Sequence, residues 1–159
     1  MGFEKDLEVS LKKGKIRKTL PDKVDLKLYR TLVHSLQWVS VGYASALYFA
    51  GKKLGSEIIS KNIKGGDVKT IMKEISNLFS TYEVGRLEVL ETSDKRNIAQ
   101  MKDCATCYHM EAVGKPVCFF EAGLIAGILE AKLKKKVVVN ETLCGGLGDE
   151  IDEFNIKIG

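Results

Sequence analysis

The sequence has no apolar run long enough to cross a bilayer. Its most apolar stretch, Val39 to Ala50, stops at Lys52-Lys53, short of the about 20 residues that a membrane helix needs. Proline is scarce, with two in the chain, and no tract is compositionally biased, which argues against a disordered segment. Charge of one sign is also weak: the net charge of +4 is too small to suggest a nucleic-acid partner. No coiled-coil, collagen or solenoid period is present. The start, Met1-Gly2-Phe3-Glu4-Lys5-Asp6, lacks the apolar core of a secretory signal. Asp6 stands where myristoylation favours Ser or Thr. The expected address is therefore the cytoplasm. No P-loop, nucleophile elbow or dinucleotide fingerprint occurs. Gly145-Gly-Leu-Gly148 follows a cysteine and reads as a turn. No catalytic set is visible, and the expectation leans away from an enzyme.

What remains has an ordinary globular composition, with 45% hydrophobic and 29% charged residues over 159 positions. That length is one domain's worth. Residues 1–22 are polar and basic, with Lys12, Lys13, Lys15, Arg17 and Lys18 before Pro21; they read as a tail or edge strands. Residues 23–159 read as a single domain. From Asp25, the residues Leu28, Leu32, Leu36 and Val39 repeat on one helical face. A second helix is expected over Gly42 to Ile63, with Ala46, Phe49, Ala50, Leu54 and Ile58 on one side. Gly65-Gly66 ends it, and Asp67 caps a third helix carrying Val68, Ile71, Ile75, Leu78 and Phe79. The period then shortens to two over Arg86 to Glu91, a strand signal. After a turn at Asp94 to Asn97, an antiparallel strand is expected over Ile98 to Tyr108. A fourth helix runs from Pro116 to Lys135, with Ala122, Gly123, Ala126 and Gly127 in its body. Glycines cost a helix about 1 kcal/mol each and are kept where something must approach closely. Strands are expected at Val137-Val138-Val139 and at Phe154, Ile156 and Ile158. This order gives an α+β domain, a mostly antiparallel sheet packed against about four helices.

The chemistry-bearing residues lie in the C-terminal half. Cys104 and Cys107 form a CxxC, Cys118 follows, and Glu141-Thr-Leu-Cys144 forms an ExxC. In a reducing compartment four cysteines suggest metal ligands, redox groups or core residues rather than disulfides. Thiolate and carboxylate are zinc ligands, and zinc stabilises thiolates that burial would disfavour. Spacing alone leaves metal, core thiols and redox dithiol all open. His109 is a candidate ligand or polar pocket group, and His34 reads as structural.

From Cys104 to Ile156 the chain resembles the 4-vinyl-reductase-type domain family. The resemblance rests on Cys104/Cys107, on Cys118 at a helix start, and on the Glu121 to Leu129 helix. It continues through Val137 to Glu141, Cys144, and the Gly148-Asp149 turn leading to Ile156. That family is similar in fold to TRAPP vesicle-tethering subunits and to the aromatic-sensing domains of phenol-responsive activators. The resemblance implies a structural zinc held by Cys118, Glu141 and Cys144. The position of its fourth ligand is a cysteine in the sensor domains and Asp152 here. Asp152 can ligate, and Cys107 or Cys104 is the alternative. The resemblance also implies a hydrophobic, hydrocarbon or aromatic ligand between sheet and helices. Phe120, Leu124, Ile128 and Val139 are the candidate lining, with Tyr108, Trp38, Tyr43 and Phe49 as further aromatic walls.

The reading that follows is a cytoplasmic ligand-binding module with a zinc site, regulatory or carrier in role, and homodimeric. An accessory part in tetrapyrrole vinyl reduction and a protein-interaction scaffold are the alternatives.

Overall fold

The computed structural model describes residues 17–93 and 96–159. Most of the basic N-terminal segment, including Lys12, Lys13 and Lys15, lies outside them. The described remainder, 17–22, holds no strand. The order is α1 (Leu26–Val39), α2 (Tyr43–Glu57), a 3-10 turn (Ile59–Asn62), α3 (Val68–Thr81), β1 (Arg86–Thr92) and β2 (Asn97–Lys102). Then come α4 (Phe119–Leu133), β3 (Val137–Leu143), a 3-10 turn (Gly145–Leu147) and β4 (Asp152–Ile158). The four strands form one antiparallel sheet in the order β1-β2-β4-β3. This is the expected α+β architecture.

Local chemistry explains the helix starts. The Asp25 carboxylate accepts from the N–H groups of Lys27 and Leu28 at 2.9 and 3.2 Å. Asp67 accepts from the Thr70 N–H at 3.0 Å, so both are N-caps. In α3 the residues Ile71, Met72, Ile75 and Phe79 are buried, close to the expected face. In α4 every residue from Glu121 to Leu129 is buried. This helix is the centre of the domain, packed on α2, α3 and β3.

The α2–α4 contact depends on glycine. A Cβ on Gly51 would overlap the Phe120 carbonyl, and one on Gly55 would lie 2.6 Å from the Leu124 carbonyl. In return, a Cβ on Gly123 would overlap the Tyr48 carbonyl, and one on Gly127 the Lys52 carbonyl. The two backbones therefore touch along two turns. This is the close approach that the glycines of the fourth helix implied.

Four expectations are corrected. The apolar face of α1 points outward: Leu28, Leu32 and Val39 are 63%, 64% and 83% exposed. The helix docks instead through Tyr29, Arg30, Val33 and His34, which are half-buried. Helical period identifies a face without saying what covers it. In α2 the residues Ala46, Phe49 and Ala50 are exposed, and Gly51 and Gly55 form the buried side; the helix ends at Glu57 rather than Ile63. Strand β2 stops at Lys102 because Asp103 turns left-handed, with φ of 55°, so the CxxC lies on the following loop. Helix α4 starts at Phe119, after Pro116 rather than at it.

Candidate metal centre

Four segments meet at one end of the sheet. The loop after β2 brings Cys104 and Cys107, the N-cap of α4 brings Cys118, the end of β3 brings Glu141 and Cys144, and the first residue of β4 is Asp152. All four cysteines are buried and free, and Asp152 is 2% exposed. Glycine permits the convergence: a Cβ on Gly145 would overlap the Cys107 carbonyl.

The Cys118 sulfur is central. It lies 3.5 Å from the Cys104 sulfur, 3.2 Å from that of Cys107 and 4.0 Å from that of Cys144. Tetrahedral zinc with zinc–sulfur bonds of about 2.3 Å separates its sulfurs by about 3.8 Å, so these spacings bracket a coordination edge. Two quartets have donor atoms all within 4.8 Å of one another: Cys118, Glu141, Cys144 and Asp152, and Cys104, Cys107, Cys118 and Asp152. The first is the expected set. The second contains both alternative ligands.

The carboxylates are half-satisfied. Glu141 Oε2 accepts from the Cys118 N–H at 3.0 Å, while Oε1 is buried without a hydrogen-bond partner. Asp152 Oδ1 accepts from the Cys107 thiol at 2.9 Å and the Gly145 N–H at 3.3 Å, and Oδ2 is likewise unpartnered. Buried oxygens without partners are costly, and a cation is what would satisfy them. Burial pushes Glu141 up to about 10 and Asp152 up to about 8. Among the thiols, Cys118 is raised by its hydrogen bonds to Cys104, Cys107 and Cys144. Cys144, receiving hydrogen bonds from Cys107 and Cys118, is held down at about 2. Acid groups sharing protons in a dry pocket are what a cation displaces. Soft thiolate with carboxylate suits zinc.

Helix α1 grips the CxxC loop by its backbone. Arg30 donates to the carbonyls of Ala105 and Cys104 at 2.7 and 3.1 Å, and His34 Nε2 donates to that of Thr106 at 3.2 Å. His34 is thus structural, as expected. His109 is exposed and belongs to neither quartet.

The candidate pocket residues are scattered. Phe49 and Val139 line a cavity of about 610 Å³ between α2, the start of α4 and β3, with Tyr48, Phe119, Ala122 and Glu141. Phe120 and Leu124 line another, of about 450 Å³, beneath the start of α1. Tyr108 lines a polar third cavity of about 490 Å³ with His109 and Arg86. Ile128 is in the core, and Trp38 is 84% exposed.

Sequence reasoning missed two features. Glu121 is 1% exposed, accepts from the Thr106 hydroxyl and keeps Oε2 unpartnered. Burial pushes it up to about 8. A glutamate within the apolar run of the fourth helix was the available signal. Asp149 accepts from the Cys144 N–H at 2.9 Å, fixing the ExxC turn; nothing in its turn context marked it out.

Three comparisons bear on this arrangement. The family model for the vinyl-4-reductase domain matches residues 97–158, the span holding every candidate metal ligand named above. An uncharacterised protein of Methanocaldococcus jannaschii is 34% identical over 98% of this chain and 88% of its own length. Among solved structures, a trafficking protein particle complex subunit 3 from Naegleria fowleri, covalently bound to palmitic acid, superposes with a TM-score of 0.66. It is 19% identical over 84% of this chain and 92% of that one. The phenol-responsive sensory domain of the activator PoxR, solved with phenol, has a TM-score of 0.65 and 15% identity over 99% and 91% of the two chains. At such identities these likenesses concern the fold, and they match the TRAPP-subunit-like expectation.

Proposed function

We infer that this chain, which belongs to the vinyl-4-reductase domain family, is a small-molecule-binding module whose ligand cavity is braced by a metal ion. The proposed ion is zinc, on Cys118, Glu141, Cys144 and Asp152. The observation that carries the reading is the convergence of these buried donors with unpartnered oxygens on Glu141 and Asp152. Zinc there would tie the start of α4 to the ends of β3 and β4.

The proposed ligand site is the cavity between α2, α4 and β3. It is walled by Tyr48, Phe49, Phe119, Ala122 and Val139, and Glu141 lines it too. Glu141 thus belongs both to the cavity wall and to the metal quartet, so an occupant would be felt at the metal. An apolar wall with few polar groups fits a hydrophobic or aromatic ligand. That PoxR was solved with phenol and the Naegleria protein with palmitic acid agrees with this class. A regulatory or carrier role follows, rather than catalysis. The outward face of α1, carrying Leu28, Leu32, Leu36 and Val39, supports a homodimer with that helix at its interface.

Equilibrium dialysis of zinc-loaded protein against phenol and against palmitate tests the ligand reading. Retention of either, weakened at least tenfold by Ala122→Leu, supports it. Retention of neither contradicts it.

A further inference from the structure

We propose that the cysteine pocket holds two metal ions, bridged by Cys118 and Asp152. This rests on the single-ion reading above and extends it. The two quartets together contain six donors: Cys104, Cys107, Cys118, Cys144, Glu141 and Asp152. They share Cys118 and Asp152, two groups whose chemistry permits bridging. A thiolate has lone pairs for two ions, and a carboxylate has one oxygen for each. Asp152 is disposed accordingly. Its Oδ1 lies on Cys107 of the CxxC quartet, and its Oδ2 has no hydrogen-bond partner.

One ion cannot use the whole pocket. Placed on Cys118, Glu141, Cys144 and Asp152, it leaves Cys104 and Cys107 buried at 3.5 and 3.2 Å from a thiolate that already ligates. Placed on the CxxC quartet, it leaves Cys144 and the unpartnered Glu141 oxygen unused. Two ions give each a tetrahedral set of four from six side chains. Charge favours the same count. Six ionised donors carry six negative charges, of which one divalent ion offsets two and a pair offsets four. Uncompensated charge in such a dry site is costly. Part of the rest falls to groups already in place. The N–H groups of Gly145 and Gly146 point at Asp152 and Cys144, and the Arg30 guanidinium sits on the Cys104 carbonyl.

The CxxC side explains the grip of α1. Arg30 and His34 hold the carbonyls of Cys104, Ala105 and Thr106. They orient the loop that supplies the second ion's ligands, as outer-shell groups commonly do.

The test is an anaerobic cobalt(II) titration of the full, metal-stripped chain, followed by thiolate-to-cobalt absorbance and by electron paramagnetic resonance. Two ions predict an absorbance endpoint at two equivalents. They also predict a resonance signal that grows to one equivalent and is then attenuated, because a bridging thiolate couples the spins. Cys104→Ser with Cys107→Ser should halve the endpoint and abolish the attenuation. A wild-type endpoint at one equivalent overturns the pair and leaves the single-ion reading standing. No cobalt binding overturns both. Iron with acid-labile sulfide in protein as isolated overturns the pair in favour of an iron–sulfur cluster. The wild-type endpoint decides the matter even if the double variant does not fold.

Discussion

Replacing Gly127 by alanine tests whether the α2–α4 backbone contact organises the domain. The added Cβ would overlap the Lys52 carbonyl oxygen, with the carbonyl carbon at 2.8 Å and the Cα at 2.9 Å. Backbone cannot swing aside as a flexible side chain does, so the helices must part. Overpacking of this kind costs about 1–3 kcal/mol, and a backbone obstacle places it near the upper end. Alanine returns about 1 kcal/mol in helix propensity. The net expectation is a loss of about 2 kcal/mol, or about 4–8 °C in Tm for a chain of this size. Gly66→Ala is the control. Its Cβ would meet nothing within 4 Å, and removing glycine from the unfolded chain stabilises by about 0.4–1 kcal/mol. Urea denaturation of both variants at fixed zinc concentration provides the assay. A Gly127→Ala protein as stable as wild type would refute the contact, and with it the placement of α4 that sets Cys118 and the cavity.

Other expectations follow from the same geometry. Glu121 is buried and raised to about 8, so the folded state holds its proton where the unfolded chain has lost it. Its stability contribution is present below the unfolded carboxylate range and fades as pH rises towards 8, by about 1.4 kcal/mol per pH unit. Glu121→Gln should remove that slope and melt higher than wild type at pH 8; parallel melting curves from pH 5 to 8 would contradict it. Arg30→Ala removes two hydrogen bonds to the CxxC loop and should speed zinc transfer to a chelator by about tenfold or more. An unchanged transfer rate would separate α1 from the metal centre. Leu32→Glu, on the outward face of α1, should convert a dimer to a monomer in analytical ultracentrifugation; a wild-type chain that is monomeric at every concentration refutes the dimer.

Much of the fold was legible because local signals agreed with the global arrangement. Asp25 and Asp67 announced helix starts that their side chains cap. The two-residue period of β1 and the small-residue pattern of α4 each had one structural solution. Periodicity failed where it could not name the covering surface. The leucines of α1 are as regular as those of a core helix, yet they face outward. The reach of β2 was overestimated because Ile98 to Met101 continues smoothly into residues where Asp103 turns the chain left-handed. At the metal centre the sequence offered two incompatible fourth ligands, Asp152 or a CxxC thiol. Both are there, because Cys118 stands where two quartets overlap, and linear spacing carries no sign of such sharing. The aromatic candidates were least legible. Apolar side chains look alike whether they fill a core, as Ile128 does, line a cavity, as Phe49 does, or lie open on the surface, as Trp38 does.

Elemental analysis of untagged protein purified without chelator, beside Cys118→Ser prepared in the same way, bears most directly on the metal-braced module. Cys118 belongs to both quartets, so zinc bound at one or more equivalents per wild-type chain should fall below half an equivalent in the variant. Wild-type protein free of metal, or zinc content unaffected by Cys118→Ser, would contradict the account.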